Sequence, residues 1–160
     1  MLEQLKQTRV LKEATSDELQ AVAKLCQEIS LKDGERLFEG GTPAESMYLV
    51  VKGAVELRFP VTHYLASSDI AIDRVSEDDV LGWSSLSESK TYTLSALAVQ
   101  DSKLLKIDAK ALRKLCSENN HLGYVLMKNL NAITGDRLEM IQRALIGVIQ
   151  QQLTEKERRM

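Results

Sequence analysis

The chain has few residues of the types that hold metals or form disulfides. It contains two histidines and two cysteines among 160 residues, and His63, His121, Cys26 and Cys116 show no metal-ligand spacing. We therefore expect no metal, haem or other cofactor, and two buried thiols; a disulfide between them stays possible in principle. The sequence also lacks a Ser/His/Asp or Cys/His grouping, so we expect a protein that is not an enzyme.

Charge and hydrophobic patterning exclude further classes of protein. The net charge is −2 at pH 7, which argues against a surface that attracts nucleic acid or anionic lipid. No apolar run approaches the roughly 20 residues that cross a bilayer, and the start of the chain lacks the apolar segment of a signal peptide. The sequence thus predicts a cytoplasmic protein without membrane association. Its 160 residues, of which 44% are hydrophobic, suffice for one domain with a sizeable core.

The spacing of apolar residues predicts an N-terminal helical segment over residues 1–28. Thr15 followed by Glu18 is typical of a capping box, in which each side chain accepts a hydrogen bond from the other residue's backbone N–H. Apolar residues then recur with the helical period as far as Cys26. We expect this helix to end near Glu28.

Residues 29–108 follow a period of two and predict an antiparallel double-stranded β-helix, or jelly-roll barrel, of about eight short strands. The clearest predicted hairpin joins residues 46–53 to residues 54–60, with Gly53 at positive φ in the turn. His63 lies in the segment FPVTHYLASSD, which we interpret as an exposed loop.

The helical period returns in residues 109–153. Asp108 is suited to cap a short first helix, AKALRKLCSEN, and a longer helix is predicted from about His121 to about Leu153. The charged residues 154–160 are predicted to fray. Apolar side chains recur along the long helix at steps of three and four, as in a coiled-coil seam, and so small a barrel has no room to bury the distal half. We therefore expect a homodimer. Its predicted interface consists of Leu130, Leu138, Ile141, Leu145 and Val148.

The order of a helix, a glycine-punctuated barrel, a short helix and a long helix resembles the cyclic-nucleotide-binding domain of the Crp/Fnr and protein kinase A regulatory-subunit superfamily. Residues 33–57, DGERLFEGGTPAESMYLVVKGAVEL, are similar to that family's glycine turn and tyrosine-containing strand. The resemblance covers nearly the whole chain and implies a bacterial regulatory protein of signal transduction. Crp/Fnr proteins carry a helix-turn-helix domain after the long helix; because this chain stops at Met160, we expect no direct DNA binding.

In that family a phosphate-binding cassette holds the cyclic nucleotide. A glutamate accepts a hydrogen bond from the ribose, an arginine neutralises the phosphate, and backbone N–H groups of a short helix complete the site. Residues 81–98, LGWSSLSESKTYTLSALA, are similar to this cassette in Gly82 and in Ser85-Leu86.

The two charged contacts of the family's cassette are missing from this one. Trp83 stands in place of the glutamate, and Tyr92 stands in place of the arginine, or Thr93 does if the loop is one residue longer. A neutral phenol replaces a bidentate guanidinium with one hydrogen bond at most. We therefore expect cyclic AMP and cyclic GMP to bind several orders of magnitude more weakly than in the family.

The sequence favours a ligand-sensing regulatory module for a different small molecule. Two alternatives stay open: a cyclic-nucleotide receptor whose rearranged pocket uses Lys90 and an inward Arg58 or Arg74, and a ligand-free scaffold that acts through a partner protein. Trp83 is interpreted as a plug that fills the pocket, or alternatively as a stacking platform for a flat ligand. The candidate ligand-binding residues are Gly82, Trp83, Ser84, Ser85, Leu86, Lys90, Tyr92 and Thr93.

Overall fold

The computed structural model describes residues 1–63 and 66–159, and the side chains of residues 1–60 and 69–158. Short helices precede a set of antiparallel strands, and two further helices follow it. The elements are α1 (Leu2–Gln7), a 3₁₀ turn (Arg9–Leu11), α2 (Ser16–Ala23), β1 (Cys26–Leu31), β2 (Arg36–Phe38), β3 (Ser46–Lys52), β4 (Val55–His63), β5 (Ala66–Val75), β6 (Val80–Leu81), a 3₁₀ helix (Trp83–Leu86), β7 (Ser95–Ala98), β8 (Ser102–Asp108), α3 (Ala109–Glu118) and α4 (Asn120–Arg159).

The strands form two four-stranded antiparallel sheets, in the orders β1-β8-β3-β6 and β2-β7-β4-β5. This arrangement confirms the predicted jelly roll of about eight strands. The predicted hairpin between residues 46–53 and 54–60 is wrong, because β3 pairs with β8 and β6 whereas β4 pairs with β5 and β7. Gly53 does have a positive φ, +95°, but its turn sends the chain from one sheet to the other.

The alternating side chains of β3 and β8 supply two separate cores. Met47 and Ile107 point to one face, where they pack with the N-terminal helices, α3 and the first half of α4. Tyr48 and Leu104 point to the opposite face and fill the barrel interior. One strand pair thus holds the helices on one side and the barrel lining on the other, as the two-residue period requires.

The N-terminal helical segment is shorter than the sequence predicts. The capping box between Thr15 and Glu18 is confirmed, but α2 ends at Ala23 and Cys26 is the first residue of β1. Six consecutive residues of β1, from Cys26 onward, pair with β8, so the sheet ladder overrides the helical spacing at this point. Cys26 and Cys116 are both free thiols.

The segment FPVTHYLASSD, residues 59–69, is not the predicted loop. Residues 59–63 belong to β4 and residues 66–69 to β5, and His63 pairs with Ala66 across the ladder. Tyr64 and Leu65 lie outside the described residues.

The C-terminal helices agree with the sequence at their start and differ at their end. The Asp108 side chain caps α3, as predicted, by accepting a hydrogen bond from the Ala111 N–H. α4 is 40 residues long, about 60 Å at 1.5 Å per residue, and it continues through the residues predicted to fray as far as Arg159. Leu130, predicted at the dimer interface, is only 7% exposed in a single copy. It packs in the helical core with Leu126 and Ile133, so one copy leaves little of its side chain for a partner.

Candidate functional site

A cavity of about 240 Å³ lies where the predicted cassette, the barrel and α4 meet. One wall of the cavity comes from the barrel and the cassette, and the facing wall comes from the long helix. The barrel and the cassette contribute Phe38, Leu57, Ile72, Asp73, Gly82, Trp83, Ser84, Tyr92, Thr93 and Leu94. α4 contributes Thr134, Arg137, Leu138, Met140 and Ile141.

Gly82 sets the backbone of the cassette where β6 ends. Its φ of +76° is in the left-handed region, and a Cβ atom at this position would lie 3.0 Å from the Ser46 carbonyl oxygen. The 3₁₀ helix Trp83–Leu86 starts immediately after it. The turn that the sequence resemblance indicates is therefore present in the structure, and it presents Trp83 and Ser84 to the cavity.

Trp83 faces a cation from α4. The guanidinium carbon of Arg137 lies 4.3 Å from the centre of the Trp83 ring, which is the geometry of a cation–π contact. Trp83 also packs against the helical core, so it is partly buried on two sides. Its indole therefore offers the cavity an aromatic surface that is already in contact with a positive charge.

Arg137 is held by acidic side chains of the barrel. Its Nε lies 2.7 Å from Asp73 Oδ2, and its Nη2 lies 3.7 Å from Asp79 Oδ2 and donates a hydrogen bond to the Val80 carbonyl oxygen at 3.1 Å. The side chain is 13% exposed, and its Nη1 is buried without a hydrogen-bond partner among the described residues. Burial lowers the pKa of Arg137, while Asp73 and Asp79 act in the opposite direction and favour its charged form.

Tyr92 is part of the barrel wall. Its hydroxyl donates a hydrogen bond to the Ser46 carbonyl oxygen at 2.8 Å and accepts one from the Ser46 N–H at 3.3 Å. Its ring stacks on Phe38 with ring centroids 3.8 Å apart. Burial raises the pKa of Tyr92 above its usual value, with a smaller contribution from Tyr48. Both bonds of the hydroxyl go to the protein's own backbone.

The remaining cassette candidates are divided between the cavity, the core and the surface. Ser84 and Thr93 line the cavity. Ser85 is completely buried, and its carbonyl oxygen accepts a hydrogen bond from Arg113, while Leu86 packs against the helical core. Lys90 is exposed and is not among the residues that line the cavity.

The two arginines considered as inward-facing cations, Arg58 and Arg74, do not line the cavity. Arg58 is paired with Glu56 on its own strand at 2.7 Å, and Arg74 is exposed. Sequence reasoning missed Arg137 instead, together with its partners Asp73 and Asp79. Nothing in the cassette indicates Arg137, but it lies next to Leu138 and one helical turn before Ile141, both of which the seam pattern identifies.

The distal half of α4 presents an apolar surface. The predicted interface residues Leu138, Ile141, Leu145 and Val148 are between 44% and 58% exposed in a single copy. Further exposed apolar side chains of this half are Met140, Ile146, Ile149 and Leu153. Leu138 and Ile141 belong to this surface and also line the cavity, so the two features are continuous.

Two site types are not found in the described part of the chain. Among residues 1–63 and 66–159, no three histidine, cysteine, aspartate or glutamate side chains are grouped so that they could hold a metal ion. No helix in these ranges combines the length and apolarity that a membrane span needs.

Residues 28–119 match the model of the cyclic nucleotide-binding domain family. The structure of a Geobacter metallireducens GS-15 protein named for cyclic nucleotide binding superposes with a TM-score of 0.71 at 29% identity, over 85% of this chain and 96% of that one. No curated protein matches the chain.

Two regulatory proteins share the fold at lower identity. The Thermus thermophilus catabolite activator protein has a TM-score of 0.70 at 22% identity, over 88% of this chain and 63% of that one. The regulatory domain of Toxoplasma gondii PKA, solved with cAMP, has a TM-score of 0.69 at 17% identity, over 82% of this chain and 48% of that one. The family match spans more than half of the chain and includes the cassette and the barrel. The chain therefore belongs to the cyclic nucleotide-binding domain family.

Proposed function

We propose that this protein is a non-enzymatic regulatory module that senses a small ligand other than cyclic AMP or cyclic GMP, and that it works as a homodimer joined through α4. The contacts of Arg137 carry the proposal. A cyclic phosphate needs a cation that is free to pair with it, and the cation at this cavity is already paired with Asp73 and Asp79.

A phosphate at this cavity would have to compete with the carboxylates for the same guanidinium. It would also bring a second anion beside Asp73, at a position where the low dielectric strengthens repulsion. The bond between Arg137 and Asp73 is short and both side chains are at most 15% exposed, so separating them carries a desolvation cost. This supports weak binding of cyclic nucleotides.

The positions of the family's glutamate and arginine support the same conclusion. Trp83 offers no carboxylate for a ribose hydroxyl, and the hydroxyl of Tyr92 is used by the Ser46 backbone. Both side chains also pack in the cavity wall. A nucleotide would therefore find neither of the two contacts that orient it in the family's cassette.

A sensing role requires that the cavity communicates with the helix. Leu138 and Ile141 line the cavity on one side and belong to the apolar surface of α4 on the other. A ligand that contacts these side chains differently in two positions of α4 shifts the population of those positions. The exposed apolar surface of the same helix supports pairing with a second copy.

The proposal is tested by isothermal titration calorimetry of the full chain with cyclic AMP and with cyclic GMP. We expect no saturable binding at micromolar concentrations of either nucleotide. Micromolar binding of one of them to the wild-type chain would contradict the proposal.

One observation favours a second candidate, a cyclic-nucleotide receptor with a rearranged pocket. Arg137 lines the cavity and its buried Nη1 has no hydrogen-bond partner among the described residues, so a phosphate would satisfy it if the surrounding side chains moved apart. Calorimetry of the Arg137→Met variant separates the candidates. If the wild-type chain binds a cyclic nucleotide and Arg137→Met does not, the rearranged pocket is supported and our first proposal is wrong.

A further inference from the structure

The chemistry of the cavity wall indicates which class of ligand it accepts. Most of the lining is hydrocarbon: Leu57, Ile72 and Leu94 come from the barrel side, and Leu138 and Ile141 come from α4. Aromatic side chains add to this surface, because Phe38, Trp83 and Tyr92 also line the cavity. Such a wall binds a molecule mainly by removing apolar surface from water.

The charges in the wall cancel each other. Arg137 is the cation and Asp73 is the anion, and their atoms lie 2.7 Å apart. A charged ligand would find no free counter-charge on this wall, and it would lose its hydration on entering. An uncharged ligand avoids this cost. The hydroxyl groups of Ser84 and Thr93 are neutral groups that remain for hydrogen bonding, whereas the Thr134 hydroxyl donates to the Leu130 and Asn131 carbonyl oxygens of its own helix.

The volume of the cavity sets the size of the ligand. An apolar cavity of about 150 Å³ accommodates benzene, so a cavity of about 240 Å³ has room for a molecule larger than a single aromatic ring. Two fused aromatic rings with one small substituent meet this description. A flat molecule also matches a wall with three aromatic rings, which prefer offset or edge contacts with other rings.

We propose that the ligand of this cavity is an uncharged, mostly apolar aromatic molecule of about two fused rings, bound between the cassette and α4. This inference rests on the proposed sensing function and specifies its ligand class. The ligand contacts Trp83 on the cassette side and Leu138 and Ile141 on the helix side. Occupancy therefore acts on the same α4 side chains that form the exposed apolar surface.

The cavity contains its own reporter, because Trp83 is the sole tryptophan of the chain. The probe is 1-nitronaphthalene, an uncharged two-ring molecule whose nitro group quenches indole emission on contact. We expect saturable quenching of Trp83 with one probe bound per chain. The anionic relative 4-nitro-1-naphthoate is expected to bind at least about tenfold more weakly, because its carboxylate finds no free cation.

Two substitutions on β5 locate the probe. Ile72 lines the cavity and is 37% exposed, whereas Ile70 lies two residues earlier, is 48% exposed and is not part of the lining. We expect Ile72→Asp to weaken the binding of 1-nitronaphthalene at least about tenfold, and Ile70→Asp to leave it within about twofold. Circular dichroism checks that both variants are folded, and Ile72→Gln replaces Ile72→Asp if the latter is not.

The outcomes separate this inference from the function on which it rests. Absence of saturable quenching, tighter binding of the anionic relative, or equal losses in the two β5 variants would overturn the ligand class. In that case, the lack of cyclic-nucleotide binding would still leave the regulatory function standing. Displacement of the probe by micromolar cyclic AMP would overturn both, because it would identify a nucleotide as the ligand of the same cavity.

Discussion

Arg137 joins α4 to the barrel through three kinds of contact: an ion pair with Asp73, a hydrogen bond to the Val80 carbonyl oxygen and a cation–π contact with Trp83. We expect Arg137→Met to lower the free energy of unfolding by about 3 kcal/mol, because the Asp73 carboxylate would stay mostly buried without its cation. Asp79 would keep only Arg9 as a cationic partner among the described residues, at 3.9 Å. Urea denaturation at pH 7 measures this loss.

The matched control for this prediction is Arg143→Met on the same helix. Arg143 pairs with Glu139, but the two side chains are 76% and 62% exposed. Exposed pairs of this kind contribute at most about 0.5 kcal/mol. Equal losses in the two variants would show that the Arg137 contacts do not stabilise the protein more than an ordinary surface pair.

Tyr92 predicts how stability changes at alkaline pH. Burial raises the pKa of its phenol above the usual value of about 10. The folded state therefore favours the neutral phenol, and the unfolded chain releases its proton first. Tyr92 thus contributes stability that is fully present below about pH 10 and is lost as the pH rises above it. We expect the free energy of unfolding of Tyr92→Phe to fall less steeply than that of the wild type between about pH 9 and about pH 11. Urea denaturation at a series of pH values measures both slopes.

A second tyrosine provides the control for the alkaline series. Tyr124 is 67% exposed on α4, so Tyr124→Phe controls for the removal of a tyrosine hydroxyl that is not buried. At neutral pH, Tyr92→Phe should also cost about 1–2 kcal/mol, because the hydroxyl exchanges two hydrogen bonds with the buried Ser46 backbone. Identical pH profiles for the wild type and Tyr92→Phe would contradict the assignment.

At the scale of elements, signals that act over a few residues are legible in the sequence. The capping box at Thr15 and the cap at Asp108 are confirmed. Both could be predicted because each hydrogen bond joins residues only three positions apart. The turn at Gly53 has the expected φ, but a turn does not determine which sheet the next strand joins. That choice depends on pairing with β7 and β8, which come much later in the chain.

In the candidate site, too, local features could be predicted from the sequence, whereas contacts between distant parts of the chain could not. The sequence alone predicts that Trp83 and Tyr92 replace the family's charged pair, because the cassette is one continuous segment. Arg137 could not be predicted as their neighbour, since it reaches the cavity only through the packing of α4 against the barrel. Helical spacing places it near Leu138 and Ile141, but spacing does not say which element that face of the helix contacts.

The sheet-changing turn at Gly53 gives a prediction at this scale. A Cβ atom there would lie 2.8 Å from the Asp101 carbonyl oxygen and against Ser102, and φ is +95°. We expect Gly53→Ala to cost more than about 2 kcal/mol of unfolding free energy, because clash and backbone strain add. Gly41→Ala is the control: its φ of +85° is similar, but nothing lies within 4 Å of the added carbon. It should cost only about 1 kcal/mol.

The distal half of α4 gives a second prediction at the scale of elements. Leu145 is 58% exposed and does not line the cavity, so a charge at this position tests the interface alone. We expect Leu145→Glu to shift the protein toward monomer in sedimentation velocity, since a carboxylate in an apolar seam has no partner. Gln150→Glu, on the polar side of the helix with Arg143 and Thr154, should leave the dimer unchanged. A dimer that survives Leu145→Glu would refute the interface.

At the scale of the whole molecule, the two halves of α4 differ in what holds them. Leu122, Leu126, Leu130 and Ile133 anchor the first half in the helical core of a single copy. The second half shows exposed apolar side chains from Leu138 to Leu153, which lie against no core within one copy. In proteins most of a helix's stability comes from the packing of its apolar face, which the distal half does not obtain within one copy. Assembly with a second copy is therefore what we expect to keep the distal half folded.

Hydrogen exchange detected by mass spectrometry tests this coupling between assembly and helix order. In the wild-type protein at concentrations where it is dimeric, peptides from residues 138–158 should exchange slowly. In Leu145→Glu the same peptides should exchange at least about tenfold faster, because local unfolding of an unpaired helix costs little free energy. Peptides from β3 and β8 should keep their protection in both proteins, since these strands lie between two buried cores of one copy. Unchanged protection of the distal half in a monomeric variant would show that the helix is stable by itself.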